Sequence, residues 1–130
     1  MRSRFVVTAV AALAVAAAPL PAQVDPSTMR AHFINVGEGH PRLLEFPCGA
    51  VMIDAGGEGD ADTTALVASL RDLFASRPEL HDTIRAVLIT HNHVDHTRGL
   101  VAMIDHFHVQ RLIENGQRGG PRDPGDAALR

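Results

Sequence analysis

The sequence predicts an α/β fold in which short strands come first and helix then alternates with strand. Apolar, β-type runs in the first half are separated by glycine and proline turns. Residues 62–77 repeat apolar side chains at helical spacing. An almost wholly apolar run, 84–90, lies between that segment and a second helical pattern, as buried strands of helix-covered sheets do.

The chain opens with "MRSRFVVTAVAALAVAAAPLPAQ": two arginines, an apolar run from Phe5 to Ala18, then small residues and prolines. This is the pattern of a secretory signal peptide, cleaved after Ala22 or Ala18. The alternative is an uncleaved anchor, but the 14 apolar residues fall short of the ~20 that span a bilayer as a helix. No transmembrane span is therefore expected. Residues 1–22 are read as the signal, 23–130 as the folded part, and the protein as exported, periplasmic or secreted. In an oxidising compartment the single cysteine, Cys48, forms no internal disulfide. It is expected as a small buried side chain beside a turn.

The elements follow in order. "RAHFINV" (30–36) has an apolar β-type centre, "GEG" (37–39) is a turn, and "PRLLEF" (41–46) reads as a second strand. The first two strands can also be one strand bent at the glycines. "PCG" turns the chain into a third strand, "AVMIDAGG" (50–57). In "DTTALVASLRDLFASR" (62–77), Leu66, Val67, Leu70, Leu73 and Phe74 share one helical face. Asp60 or Asp62 caps its start, and Pro78 ends it. "IRAVLIT" (84–90) is expected as a strand buried on both faces. A helix from about Thr97 to Phe107 turns Leu100, Val101, Met103, Ile104 and Phe107 inward. "VQRLIEN" (109–115) is the next strand, and the Gly/Pro-rich tail holds at most a helix near its end.

The chain carries 12 basic residues, all arginine, and 15 acidic ones, a net charge of −3. Cleavage after Ala22 removes Arg2 and Arg4 and no acid, leaving 10 basic and 15 acidic residues and a net charge of −5. No basic patch of the kind that grips nucleic acid over a wide surface is evident. A single site can still act on a phosphodiester when metal ions supply the positive charge.

The densest chemistry lies in "LITHNHVDHTRGL" (88–100). It follows the apolar strand and precedes a helix, where α/β sheets place ligands. His91 and His93 are two apart, so an extended backbone points both to one side. Asp95 and His96 sit at the helix start and can swing toward the same space. Imidazole and carboxylate suit zinc, and also manganese or iron, and four such groups can serve two adjacent ions. The bland alternative is a polar surface loop in a chain with eight histidines.

"THNHVDHTRGL" resembles the HxHxDH motif of the metallo-β-lactamase fold superfamily. "HFINVGEGHPRLLEF" with "GAVMIDAGG", and "FHVQRLIENG", resemble the competence-protein-like branch. The resemblance spans residues 32–116. It implies an αββα sandwich with two zinc ions at the sheet edge and a metal-bound hydroxide attacking an ester-type bond. A phosphodiester is the favoured substrate, with a lactone, thioester or β-lactam as small-molecule alternatives. It further implies that His91 and His93 bind the first ion, and Asp95 and His96 the second. Asp95 also orients the hydroxide, and Asp54 supports a ligand without touching metal. His40 stands where the branch has aspartate, and Arg98 where glycine is common. The later family ligands have no counterpart: no histidine follows His108, and Asp123 and Asp126 lie in the tail. His106 and His108 read as solvent-facing or helix-end residues. The stretch therefore reads as the first half of the sandwich. It is expected to hold metal in the motif loop and to be a poor hydrolase alone, or a non-catalytic metal-binding remnant.

Overall fold

The computed structural model describes residues 28–117. Residues 1–22, expected as a signal peptide, and the tail with Asp123 and Asp126 lie outside the described residues. The first strands are β1 (Arg30–Phe33), β2 (Arg42–Phe46) and β3 (Gly49–Ile53). β1 and β2 are separate antiparallel strands, paired from Arg30–Glu45 to Phe33–Arg42, and not one bent strand. The chain reverses between them through Gly37 and Gly39, at φ +77° and +73°, where a side chain is disfavoured. β2 and β3 form a hairpin with Phe46 opposite Gly49. That leaves Pro47 and Cys48 at its tip. Cys48 is exposed there, contrary to the expected burial, because a hairpin tip has nothing packed over it.

Helix α1 (Asp60–Ser76) starts two residues before the expected 62. Gly59 occupies the N-cap, so neither aspartate caps directly. Asp62 instead reaches back from the first turn and accepts the N–H groups of Glu58 at 2.8 Å and Gly59 at 3.1 Å, which fills donors the helix leaves free. Leu66, Val67, Leu70 and Phe74 form its buried face. The helix stops before Pro78, which opens a short 3-10 turn, Pro78–Leu80.

β4 (Thr83–Leu88) runs parallel to β3. The short strands β5 (His108–Val109) and β6 (Leu112–Ile113) both pair with β4, also in parallel. They replace the single expected strand 109–115. The sheet order is β1-β2-β3-β4-β5, with β6 beside β4.

One core lies between this sheet and the helices. Leu43, Met52, Ile84 and Val87 meet Leu66, Leu70, Leu100 and Met103, all at 0% exposure. β4 is buried on one face only: Arg85 and Leu88 are exposed, which corrects the expectation of two covered faces. The described helices bury the opposite face. The pairing also shifts, from Ala50 with Ile84 to Val51 with Ala86, so Arg85 is an extra residue bulged out of β4. That is why Ile84 and Val87, three apart, both face the core.

The expected helix 97–107 is two helices, α2 (Val94–Thr97) and α3 (Leu100–His106). Gly99 lies between them, and its N–H donates to the Ala55 carbonyl at 2.7 Å. A Cβ at Gly99 would come within 2.6 Å of the Leu66 side chain. α3 is seated by Leu100 and Met103, with Phe107 just beyond its end and 5.5 Å from the Phe74 ring. Val101 (55%) and Ile104 (48%) are exposed, contrary to the expected inward placement. Each follows a seated residue by one, which turns it ~100° around the axis.

Glu45 is a buried acid among these apolar groups, 3% exposed. It accepts from Arg77, and the His32 Nε2 lies 2.7 Å away. Among the described residues no helix is long and apolar enough to cross a membrane.

Candidate metal centre

β3 and β4 are adjacent and parallel, so the residues after them leave the sheet at the same edge. Asp54 follows β3, and its N–H donates to the Leu88 carbonyl at 2.8 Å. Its φ is +59°, a left-handed conformation that aspartate tolerates better than most residues. The residue is 1% exposed. A carboxylate this buried must be satisfied by donors, and Asp54 is. Oδ1 accepts the Thr90 N–H at 2.8 Å. The Thr90 hydroxyl lies 3.0 Å and 2.9 Å from the two oxygens, and His96 Nδ1 lies 2.9 Å from Oδ2.

The loop after β4 is anchored through its backbone. His93 is the N-cap of α2, and its carbonyl accepts the His96 N–H at 2.9 Å and the Thr97 hydroxyl at 3.2 Å. The chain after β3 then hooks α2: Ala55 N–H donates to the His96 carbonyl at 2.8 Å, and Gly57 N–H to the Asp95 carbonyl at 2.9 Å. Gly39 and Gly56 let three backbones converge here. A Cβ on Gly39 would lie 1.7 Å from the Asp95 oxygen, and one on Gly56 2.2 Å from it. In the sequence Gly39 reads as part of a turn and Gly56 as the end of the third strand, and neither signals this contact.

The imidazoles gather above this platform. The His91 ring centroid is 3.9 Å from that of His96 and 4.7 Å from that of His93. His96 Nε2 lies 3.3 Å from Asp95 Oδ2. Because a carboxylate only accepts, the hydrogen between His96 and Asp54 sits on Nδ1, and the neutral ring keeps its lone pair on Nε2.

This donor set fits a metal ion in chemistry and, for one pair, in spacing. Two ligands about 2.0–2.1 Å from a tetrahedral zinc are ~3.3 Å apart, and the Asp95–His96 pair stands at 3.3 Å. A histidine whose second nitrogen is held by a carboxylate is the common surrounding of a metal ligand. Among the described residues no three His, Cys, Asp or Glu side chains are gathered closely enough to enclose an ion.

The loop thus brings together His91, His93, Asp95, His96 and Asp54. His106 lies elsewhere, exposed at the end of α3, with Nδ1 3.3 Å from the guanidinium of Arg71 on α1. His108 is exposed on β5, and His40 is exposed at φ +28°. Thr90 went unread as a site residue. Its one signal is a hydroxyl at the end of an apolar strand, directly before the first histidine. Asn92, between the first two histidines, is 7% exposed, and its Nδ2 meets no acceptor among the described residues.

A family model described as metallo-beta-lactamase superfamily matches residues 43–127. Two solved structures of the metallo-beta-lactamase SMB-1 are similar to the chain. The one bound to 2-mercaptoethanesulfonate has 22% identity and a TM-score of 0.46, covering 59% of this chain and 27% of that one. The complex with mercaptoacetic acid has 23% identity and a TM-score of 0.47, covering 59% and 28%. The chain spans little more than a quarter of the length of either. No curated protein matches it.

Proposed function

The chain belongs to the metallo-beta-lactamase superfamily, and we propose on that premise that it contributes to a metal-dependent hydrolase acting on an ester-type bond. The observation that carries this reading is His96, held through Nδ1 on buried Asp54 with Nε2 beside Asp95. His91 and His93 would hold one zinc ion, and Asp95 and His96 a second, with manganese or iron as alternatives. Bound zinc supplies Lewis acidity and an acidified water at neutral pH. The chain's own residues orient the groups around it. Asp54 fixes the His96 ring, the glycine-lined platform fixes the Asp95 backbone, and the Asp95 carboxylate would help orient the attacking hydroxide.

A phosphodiester is the favoured substrate. Support comes from the likeness of "HFINVGEGHPRLLEF" and "GAVMIDAGG" to the competence-protein-like branch. The acidic balance of the chain leaves charge neutralisation to the metal. A second reading is metal binding without turnover: Asp95 and His96 stand at metal spacing, a pair that can take an ion without fixing the geometry hydrolysis needs. Export through residues 1–22 belongs to the same proposal. N-terminal sequencing of the secreted protein is expected to begin after Ala22, and a product starting at Met1 would contradict it.

The test loads the chain with zinc, measures bound metal by elemental analysis, and assays bis(p-nitrophenyl) phosphate, a lactone and a β-lactam. His93→Ala is expected to lower bound zinc, Asp95→Asn to deplete mainly the second ion, and His106→Ala to leave zinc unchanged. Phosphodiester turnover lost in His91→Ala supports the hydrolase. Zinc held with no turnover on any substrate supports the second reading. Unchanged zinc in both loop variants rejects the site.

A further inference from the structure

The hydroxyl of Thr90 stands at the junction of Asp54, His91 and His96. It lies 3.0 Å and 2.9 Å from the Asp54 oxygens, 3.1 Å from His91 Nδ1 and 3.5 Å from His96 Nδ1. A hydroxyl has one hydrogen to donate and two lone pairs to accept with. The carboxylate only accepts, so the Thr90 hydrogen is directed to Asp54. A lone pair then faces His91. The 3.1 Å contact is a hydrogen bond only when His91 Nδ1 carries the hydrogen, and the neutral ring then keeps its lone pair on Nε2.

We propose that Thr90 is a positioning residue: clamped on Asp54, its hydroxyl accepts the Nδ1–H of His91, so that Asp54 sets the His96 ring directly and the His91 ring through Thr90. One buried carboxylate thereby dictates the tautomer of two histidines, and both present Nε2 to the same space. The Thr90 N–H, donated to Asp54 Oδ1 at 2.8 Å, pins the hydroxyl's own backbone to that carboxylate. The inference rests on the metal-binding reading for its purpose. Its content, a hydrogen on a stated nitrogen, is a property of the metal-free chain.

The experiment compares the whole chain with Thr90→Val, which removes the hydroxyl at nearly constant shape, and Thr90→Ser, which keeps it. Thr90→Ala gives the same loss of hydroxyl should valine disturb the fold. Nitrogen-15 NMR of the metal-free proteins reads which imidazole nitrogen of His91 is protonated. Competition with a chromophoric chelator reads zinc affinity. The parent and the serine variant are expected to hold the hydrogen on His91 Nδ1 and bind zinc alike. The valine and alanine variants are expected to shift it toward Nε2 and to bind zinc roughly 10–100-fold more weakly, the usual effect of losing a ligand's supporting partner. A parent that binds no zinc overturns the metal reading, and the purpose assigned to Thr90 with it. A parent that binds zinc, with tautomer and affinity unchanged in the hydroxyl-free variants, overturns the Thr90 assignment alone.

Discussion

Gly39 and Gly56 face each other across the carbonyl of Asp95, with no room for a Cβ on either. Each hypothetical Cβ would also press on the other glycine, at 3.0 Å or less from its Cα. The obstructing atoms are backbone and cannot rotate away. Gly56→Ala is expected to destabilise the chain by about 1–3 kcal/mol, as overpacking does. Gly39→Ala is expected to cost more, because its φ of +73° adds strain to the clash. Urea unfolding checks this. Midpoints for both variants close to the parent's would show that the three backbones do not meet as described.

Asp54→Asn separates charge from shape. Asparagine tolerates the left-handed backbone and keeps an oxygen for the Thr90 N–H. Its NH2 would then face His96 Nδ1 and donate, which moves the ring hydrogen to Nε2 and blocks the nitrogen beside Asp95. Zinc affinity is expected to fall roughly 10–100-fold while the unfolding midpoint moves little. Equal affinity in a chelator competition would mean that Asp54 has no hold on the ligand.

The helix core positions were legible because burial repeats with the backbone period. Leu66, Leu70, Leu100 and Met103 sit where helical periodicity places them, while Val101 and Ile104, read into the same face, do not. What escaped depends on contacts between distant segments. The break between α2 and α3 follows from Gly99 pressing on Ala55 and Leu66, which no local pattern around residue 99 encodes. The bulge at Arg85 hides in an apolar run, where a shift of phase leaves no alternation to disturb. The motif loop was legible as a string of donors. Its platform was not, since Gly39, Gly56 and Thr90 acquire their roles only when β3 and β4 lie side by side.

Glu45 and Arg77 form a buried ion pair, with side chains 3% and 11% exposed. Arg77→Met removes the guanidinium and leaves the buried carboxylate with only His32 and the more distant Arg30, with an expected loss of up to about 3–5 kcal/mol. Adding Glu45→Leu to Arg77→Met is expected to restore most of that loss, since an apolar pair needs no desolvation of charge. Chemical denaturation of the single and double variants decides it. A double variant as unstable as Arg77→Met would show that the pair contributes more than mutual neutralisation.

His32 ties stability to pH. Burial, and then the Arg30 guanidinium, hold its pKa below the ordinary imidazole value of 6.5. Glu45 pulls the other way from 2.7 Å, but Arg77 already engages that carboxylate, so burial and Arg30 prevail. The unfolded chain therefore takes up the proton first as pH falls. The contribution of neutral His32 is present above about pH 6.5 and is lost as pH falls below it toward the folded value. Between pH 7.5 and 5.5 the parent's unfolding midpoint is expected to drop further than that of His32→Gln. Equal drops would place the pH dependence on other groups.

The extra residue in β4 works as a phase setter. Without it, Ile53 would pair with Val87 rather than Leu88, and the loop that carries Thr90 would leave the sheet one strand step farther from Asp54. The hydroxyl would lose the carboxylate, and both histidines their reference point. The fine alignment of the donors is thus decided at Arg85, six residues before His91. Any catalogue of this site confined to residues that touch it would omit the residue that brings it into step.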